Sequence, residues 1–359
     1  MPTRSETLAK AAQLRAMFEA QGAIVVEPPI LQPAETLLDL YGEDIRARAY
    51  VTSDALRGEQ MLRPDYTVPV VQMHMTHGAD PARYTYAGEV FRRQEHDPER
   101  ANEFIQVGYE VFDRADPAAA DAEVFARISE ALNGLPVKPV TGDIGILMAA
   151  VKGLDTTERR KAALMRHIWR PRRFRSLLER FAGSTPVPAT RAALLAGAVQ
   201  NDAPMIGLRS PQEIEARIDA LREDAQAPAL SAEQVALIAA LLDVREVMPN
   251  ALSRLHDIAV DLPAIGDAVD LAAARADALA ARGIDTDQLA FEASYGRASM
   301  EYYDGFVFGF RVETRPDWPA IASGGRYDAL TKRLGQGDEI PAVGGVMRPG
   351  LMLELEAAQ

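Results

Sequence analysis

The chain has 359 residues, of which 48% are hydrophobic, so it can bury a large core and is expected to form more than one domain. It contains no cysteine, which excludes disulfides, thiolate metal ligands and cysteine nucleophiles. The formal net charge is −13, from 39 basic and 52 acidic residues, and this weakens any prediction of tRNA binding because nucleic-acid-binding surfaces are normally basic.

The N-terminal segment, residues 1–22, alternates charged and apolar residues at helical spacing. It lacks the continuous apolar core of a signal peptide. No stretch of the chain approaches the roughly 18 to 20 uninterrupted apolar residues that a membrane span requires. A reducing cytoplasm is compatible with the absence of cysteine, and a cytoplasmic location is predicted.

Two histidines, His74 and His77, lie three residues apart on a helix predicted after Pro69. Their spacing would place both on one face, where they could act as metal ligands. No third ligand is near them in the sequence, and histidines of the core or surface are far commoner than zinc ligands. No metal site is therefore predicted.

Residues 83–112 predict two antiparallel strands joined by a charged loop, because apolar and polar residues alternate on both sides of the loop. Gln106 and Glu110 are four positions apart on the second strand and therefore project from one face, where an amide and a carboxylate could grip an ammonium or an imidazole N–H. Arg92 could hold a carboxylate or a phosphate bidentately. The pattern predicts the floor of a small-ligand site, and the alternative is an ordinary charged hairpin.

The middle of the chain, residues 155–260, is rich in alanine, leucine and arginine at helical spacing and is punctuated by prolines, which predicts a helical insertion. A helix is predicted before it at 118–132, followed by a strand at 140–144. After it, a helix at 267–282 leads to β-rich sequence at 289–312.

A basic run occupies residues 159–180, where nine arginines and lysines stand against a single acid, Glu179. Such a run is most often a solvated helix face. The alternatives are a docking surface for an acidic partner subunit and a site for a phosphorylated ligand.

Near the C-terminus, Gly324 and Gly325 with Arg326 could cradle a phosphate, although two glycines before a helix are more often turn chemistry. Tyr302 and Tyr303 occupy adjacent positions of a predicted strand. They should therefore point to opposite faces, so that one reaches a ligand and the other packs in the core.

The hairpin segment resembles motif 2 of the class II aminoacyl-tRNA synthetases, in the form found in histidyl-tRNA synthetase. Other segments agree in order: 22–38 resembles motif 1, which builds the dimer interface of that family, and 62–67, LRPDYT, resembles the turn that holds the amino group of histidine. EYYDGFVF at 301–308 and SGGRYDAL at 323–330 resemble its two histidine-specific signatures.

The resemblance implies an α+β fold, with a class II synthetase-like antiparallel sheet flanked by helices, a mainly helical insertion and no anticodon-binding domain. The two halves of the core are expected at 1–154 and 261–359, with the insertion at 155–260 between them. The resemblance also implies a histidine pocket. Its expected residues are Asp65, Thr67, Arg92, Gln106, Glu110, Tyr303 and Tyr327.

In the bound state that the resemblance implies, the ammonium of histidine lies near Asp65, Thr67 and Gln106. The imidazole lies against Glu110 and either Tyr303 or Tyr327. The carboxylate points toward Arg92.

The resemblance fails where the family binds ATP. Ala298 stands where the family has an arginine that stabilises charge at the reacting carboxylate and α-phosphate, and Gly350 and Leu351 replace the glutamate and ATP-clamping arginine of motif 3. In the motif 2 loop, Gln94 and Glu95 replace a glutamate and an arginine. Removing one preorganised charge-stabilising donor costs about 3 to 4 kcal/mol. We therefore expect no catalytic residues, no cofactor and negligible adenylation.

A retained amino-acid pocket with a dismantled nucleotide site resembles the histidyl-synthetase-like regulatory subunits of ATP phosphoribosyltransferase. Members of that family are non-catalytic, assemble with a short catalytic subunit in histidine biosynthesis and carry feedback inhibition by histidine. The resemblance implies that catalytic subunit as partner, L-histidine as effector and a homodimer within a hetero-oligomer, without nucleic acid or membrane. The alternative is an enzyme, either a degenerate histidyl-tRNA synthetase or a stand-alone amino-acid-activating ligase.

Overall fold

The computed structural model describes residues 2–41, 45–94, 100–198, 206–297 and 302–358. The helices are α1 (Arg4–Ala20), α2 (Ala34–Tyr41), α3 (Ile45–Arg48), α4 (Thr67–His77), α5 (Pro117–Ala131), α6 (Ile144–Lys152), α7 (Glu158–Arg166), α8 (Pro171–Phe181), α9 (Ala189–Leu195), α10 (Pro211–Gln226), α11 (Ala232–Leu242), α12 (Met248–Asp261), α13 (Gly266–Ala281), α14 (Asp328–Leu334) and α15 (Pro349–Ala357). The strands are β1 (Ile24–Val25), β2 (Leu31–Pro33), β3 (Val51–Asp54), β4 (Gly58–Leu62), β5 (Ala82–Phe91), β6 (Glu103–Phe112), β7 (Lys138–Asp143), β8 (Arg245–Val247), β9 (Ala290–Glu292), β10 (Phe306–Arg311), β11 (Ala322–Arg326) and β12 (Ala342–Met347).

A nine-stranded sheet in the order β1-β5-β6-β12-β11-β10-β7-β9-β8 forms the centre of the fold. Its strands from β5 to β7 pair antiparallel, whereas β1 joins β5 and β9 joins β7 in parallel. A separate three-stranded sheet has the order β2-β4-β3. The predicted α+β class is confirmed, and the sheet is antiparallel except at these two outer pairs.

The predicted hairpin is confirmed as β5 and β6, ten residues each, paired from Ala82 opposite Phe112 to Phe91 opposite Glu103. The predicted helix at 118–132 is α5, which begins with Pro117 after an Asp116 cap that accepts a hydrogen bond from the backbone N–H of Ala119. These are strong start signals, because the cap satisfies a free donor and proline has no N–H to lose.

Helices α1 and α5 pack on one face of the sheet. On that face Phe18 of α1 stacks on Tyr109 of β6 with ring centroids 4.9 Å apart, and the Tyr109 hydroxyl donates to Glu123 of α5 at 2.6 Å. Because side chains alternate along a strand, Gln106 and Glu110 project from the opposite face of β6. The two helices therefore leave that opposite face for a binding site.

Apart from residues 199–205, which are not described, the range from 158 to 242 contains five helices, α7 to α11, within the region predicted as the helical insertion. The chain then returns to the large sheet through β8, which pairs with β9. The boundaries at 154 and 260 remain predictions.

A buried ion network joins elements that are far apart in the chain. Asp121 of α5 is fully buried and accepts hydrogen bonds from Arg275 of α13 at 2.7 Å and from Arg326 of β11 at 2.8 Å. Arg275 also pairs with Asp143 at the end of β7, at 2.9 Å. The network ties the helical layer to strands on both sides of β10.

Candidate amino-acid-binding site

A cavity of about 180 Å³ lies among β6, β11 and β12, the turn before α4 and the segment before β10. Pockets for drug-sized ligands usually measure about 300 to 1,000 Å³. The cavity therefore suits a small metabolite better than a nucleotide. Its lining residues are Asp65, Thr67, Arg92, Gln106, Tyr302, Tyr303, Ser323, Gly344, Gly345, Val346 and Arg348.

Five of the seven predicted pocket residues line this cavity: Asp65, Thr67, Arg92, Gln106 and Tyr303. The other two, Glu110 and Tyr327, are absent from the lining and are almost fully buried, at 1% exposure each. Four further parts of the lining were not among the predicted pocket residues: Tyr302, Ser323, Arg348 and the strand segment 344–346.

Glu110 lies beneath the cavity and is held by three hydroxyl donors. Tyr86 donates to Oε1 at 2.8 Å, Tyr327 to Oε2 at 2.6 Å, and Thr67 to Oε1 at 3.3 Å. Burial raises the pKa of Glu110 to about 7, against the opposing effect of these hydrogen bonds. Because Thr67 also lines the cavity, it connects the buried carboxyl group to any occupant.

Gly344 of β12 is paired with Glu110 of β6 in the sheet, and its lack of a side chain leaves room for this carboxyl group. A Cβ atom at position 344 would lie 1.3 Å from Oε2 of Glu110, so any side chain there would displace it. Glycine thus sets the depth of the cavity floor. A direct contact between Glu110 and an imidazole remains a prediction.

Gln106 is fully buried, and neither its amide oxygen nor its amide nitrogen has a hydrogen-bond partner. An unsatisfied buried polar group costs about 1 to 3 kcal/mol, so native proteins rarely leave one. Because this amide lines the cavity, it is placed to pair with a polar group of a ligand.

The cavity carries charges of both signs. Asp65 is buried, at 3% exposure, and its Oδ1 accepts a long hydrogen bond from the backbone N–H of Val68 at 3.4 Å. Arg92 donates through Nε to the carbonyl of Pro64 at 2.6 Å, and Arg348 donates to the carbonyl of Ala320. A carboxylate and two guanidinium groups in one cavity match the ammonium and carboxylate of a free amino acid.

Tyr302 and Tyr303 both line the cavity, with ring centroids 4.9 Å apart. The prediction that they face opposite sides of a strand is wrong, because β10 begins only at Phe306 and the two tyrosines precede it in non-strand backbone. Strand alternation does not apply there.

Two other sites were considered from the sequence, the histidine pair on α4 and the segment 324–326, and the residues described there have structural roles. His74 is buried, stacks on Phe112 with ring centroids 3.9 Å apart, and contacts the Tyr84 hydroxyl at 3.1 Å. Among the described residues, no cluster of three or more histidine, aspartate or glutamate side chains could hold a metal ion. His74 is therefore a core residue.

The phosphate-cradle hypothesis at Gly324 to Arg326 is wrong, and so is the turn proposed there, because all three residues lie within β11. Arg326 is 3% exposed and is bound to Asp121 and Asp328. A Cβ atom at Gly324 would lie 2.3 Å from the Gly344 carbonyl oxygen, so this glycine serves close strand packing.

The basic run falls on α7 and α8. Arg160 is buried and pairs with Asp224 of α10 at 2.7 Å, so it fastens two helices together. The exposed arginines of the basic run are Arg159, Arg166, Arg172, Arg173, Arg175 and Arg180. This placement agrees with a largely solvated helix face.

Of the substitutions that mark the failed nucleotide site, Gly350 and Leu351 lie in the first turn of α15. Glu95 and Ala298 fall outside the described residues, as does Glu301 of the histidine-signature segment. In the part of the chain that the structure describes, no helix is both long enough and apolar enough to cross a membrane.

Known proteins match this chain in sequence over nearly its whole length. The histidyl-tRNA synthetase family profile matches residues 2–223 and 214–349. The ATP phosphoribosyltransferase regulatory subunit of Brucella anthropi is 32% identical, covering 92% of this chain and 93% of its own, and that of Brucella canis is 33% identical with the same coverage.

Solved structures show the same fold. A Bacillus halodurans protein described as an ATP phosphoribosyltransferase regulatory subunit/histidyl-tRNA synthetase gives a TM-score of 0.69 at 21% identity, covering 98% of this chain and 79% of that one. The histidyl-tRNA synthetase of Nostoc gives a TM-score of 0.64 at 18% identity, and the match covers 98% of this chain and 72% of that one. This chain belongs to the histidyl-tRNA synthetase-like family of ATP phosphoribosyltransferase regulatory subunits.

Proposed function

We propose that this chain is the non-catalytic subunit through which free L-histidine controls ATP phosphoribosyltransferase. The observation that carries the proposal is the unpaired amide of Gln106, buried in a cavity that also presents Asp65 and two arginines. Such a cavity offers an acceptor for an ammonium and donors for a carboxylate at the same time.

In the proposed complex, the ammonium of histidine binds near Asp65, Thr67 and Gln106, and the carboxylate binds at the arginine side. The imidazole lies toward Tyr303, with Glu110 and Tyr327 beneath it. Charge-assisted hydrogen bonds contribute about 1.5 to 3 kcal/mol each. Three or four of them can support micromolar affinity, about 8 kcal/mol, after ordering costs.

Amino-acid activation is not part of the proposal. In the part of the chain that the structure describes, the cavity of about 180 Å³ is smaller than the pockets of about 300 to 1,000 Å³ that hold drug-sized ligands. The position that resembles the ATP-clamping arginine of motif 3 is Leu351, which is half-buried in α15 and has no charge to offer a phosphate. Both features support a protein that binds histidine without adenylating it.

The proposed partner is the short catalytic subunit of ATP phosphoribosyltransferase, and the proposed assembly contains a homodimer of this chain. Control requires that histidine bind one arrangement of the assembly more tightly than another, with a typical coupling of about 1 to 3 kcal/mol. A cytoplasmic location remains a prediction.

Isothermal titration of the purified chain with L-histidine tests the binding step. We expect micromolar affinity that does not change when ATP is added. Absence of binding at millimolar histidine would refute the proposed sensing role. Pyrophosphate exchange at the rate of an ordinary synthetase would favour the alternative of an activating enzyme.

Co-expression with a short catalytic subunit tests the partner. We expect the two chains to co-purify, and we expect histidine to inhibit the complex but not the isolated catalytic subunit. Failure to associate at micromolar concentration would contradict the assignment even if histidine binds.

A further inference from the structure

Arg348 is a second cation in the cavity and has no counterpart among the residues predicted from the sequence. It follows β12 directly and precedes Pro349, the first residue of α15. Its backbone N–H donates to the carbonyl of Ile321 at 2.9 Å, and its guanidinium group donates to the carbonyl of Ala320. The first bond holds the backbone, and the second holds the guanidinium group, against the segment that enters β11.

The surroundings of Arg348 destabilise its charged form. Burial and the nearby charges of Arg92 and Arg100 lower the pKa of Arg348 to about 10, so the group stays protonated at neutral pH but lies beside other cations. Among the described residues that line the cavity, the charged side chains are those of Asp65, Arg92 and Arg348. An anion placed between the two arginines would relieve their repulsion.

The chemical class of that anion follows from the size of the cavity. A volume of about 180 Å³ leaves room for an amino acid such as histidine, whose one full negative charge is its carboxylate. When the carboxylate becomes an ester or an amide, that charge is lost. Two guanidinium groups then lose most of their interaction with this end of the amino acid.

We propose that Arg348 and Arg92 together form a carboxylate subsite that admits amino acids with a free carboxylate and discriminates against carboxyl-modified forms. This inference rests on the proposed function, because it assigns one end of the histidine pocket. It makes Arg348 a specificity-determining residue. Leu351 stands at the position that resembles the ATP-binding arginine of the synthetases. Arg348, three positions earlier, instead places a guanidinium group in the amino-acid cavity.

The test compares L-histidine with L-histidinol, in which a hydroxymethyl group replaces the carboxylate, and with L-histidine methyl ester. Each is titrated calorimetrically into the full chain and into Arg348→Gln at one pH and ionic strength. In the unmodified protein we expect both analogues to bind about 10- to 100-fold more weakly than histidine. In Arg348→Gln we expect histidine to weaken by a similar factor while the analogues change less than about twofold.

Arg348→Lys keeps the charge but not the bidentate geometry, so its preference for histidine should be intermediate. It also serves if the glutamine variant does not fold. Arg222→Gln on the exposed surface of α10, where Arg222 pairs with Asp219, is the matched control and should leave all three affinities unchanged.

Two results would overturn the subsite. Equal weakening of histidine and its analogues in both Arg348 variants would show that the arginine acts only through the structure of the cavity. Unchanged affinities would show that it does not touch the ligand. Failure of the unmodified protein to bind histidine is a different result, because it would remove the proposed function itself.

Discussion

Tyr327 donates a 2.6 Å hydrogen bond to Oε2 of Glu110, although the two residues are 217 positions apart. Glu110 lies on β6, and Tyr327 immediately precedes α14, so the bond joins two segments that are far apart in the chain. Tyr86 of β5 donates to the other oxygen of the same carboxyl group at 2.8 Å. One buried carboxyl group therefore positions two tyrosines.

Removing this carboxyl group should destabilise the whole fold. In Glu110→Ala, the hydroxyls of Tyr86 and Tyr327 lose their acceptor in the interior, and we expect the free energy of unfolding to fall by about 2 to 4 kcal/mol. Tyr327→Phe removes one donor and should cost about 1 kcal/mol. Urea denaturation measures both changes. Glu215→Ala on the exposed face of α10 is the control, and a loss in Glu110→Ala no larger than in this control would contradict the network.

The raised pKa of Glu110 predicts a pH dependence of stability. A glutamate in the unfolded chain titrates near 4.5, whereas burial raises the pKa of Glu110 to about 7 in the folded protein. Between these values the folded state retains a proton that the unfolded state has released, so the free energy of unfolding falls as the pH rises. The contribution is complete below pH 4.5 and is lost through pH 7.

Glu110→Gln has no proton to lose at this position, so its stability should decline less steeply with pH. Urea denaturation of both proteins from pH 5 to 8 should show the advantage of the wild type over the variant shrinking by about 2 to 3 kcal/mol. Burial also raises the pKa of Asp304 to about 7, and it should give both proteins a residual slope of the same sign. A difference that stays constant with pH would place the titration elsewhere.

The local pattern of the sequence was sufficient for the hairpin and for two of the residues that line the cavity, Arg92 and Gln106. Alternation along residues 83–112 predicts β5 and β6, and it places Gln106 and Glu110 on one face. The resemblance to the synthetase motifs supplied Asp65, Thr67 and Tyr303, which all line the cavity. These predictions needed only strand geometry and short motifs.

What the sequence could not show depends on contacts between distant segments. Arg348 enters the cavity because β12 inserts between β6 and β11, and no local pattern specifies that strand order. Glu110 is absent from the cavity lining because its carboxyl group fills the space left by the missing side chain of Gly344 and is bound by Tyr327 from another part of the chain. Burial depth of this kind follows from tertiary packing, not from periodicity.

Gln106→Leu should separate ligand binding from stability. Leucine is close in size to glutamine and removes two buried polar atoms that have no partner, so the free energy of unfolding without ligand should stay the same or rise by about 1 to 2 kcal/mol. The affinity for histidine should fall by about 10- to 100-fold, because the ligand loses its contact with the amide. Thermal unfolding and calorimetric titration measure the two effects.

Gln32→Leu is the matched control for this substitution. Gln32 is also buried, at 5% exposure, but its amide donates to the carbonyl of Pro29 at 2.6 Å. Its replacement should therefore lower stability by about 1 to 2 kcal/mol without a direct effect on histidine binding. If Gln106→Leu destabilises the protein as much as Gln32→Leu does, the amide of Gln106 has a structural partner.

The buried pairing of Asp121 with Arg275 and Arg326 predicts a large stability effect away from the cavity. The carboxylate is fully buried and the two arginine side chains are 2% and 4% exposed, so loss of the carboxylate leaves two cations in the interior with less compensation. Breaking a buried pair by removing one partner costs about 3 to 5 kcal/mol. We therefore expect Asp121→Asn to lower the free energy of unfolding by that amount in urea denaturation.

Asp219→Asn is the control for this prediction. It breaks the exposed pair with Arg222 and should cost less than about 1 kcal/mol, since surface ion pairs are weak. Equal effects of the two substitutions would mean that the interior network contributes no more than a surface pair.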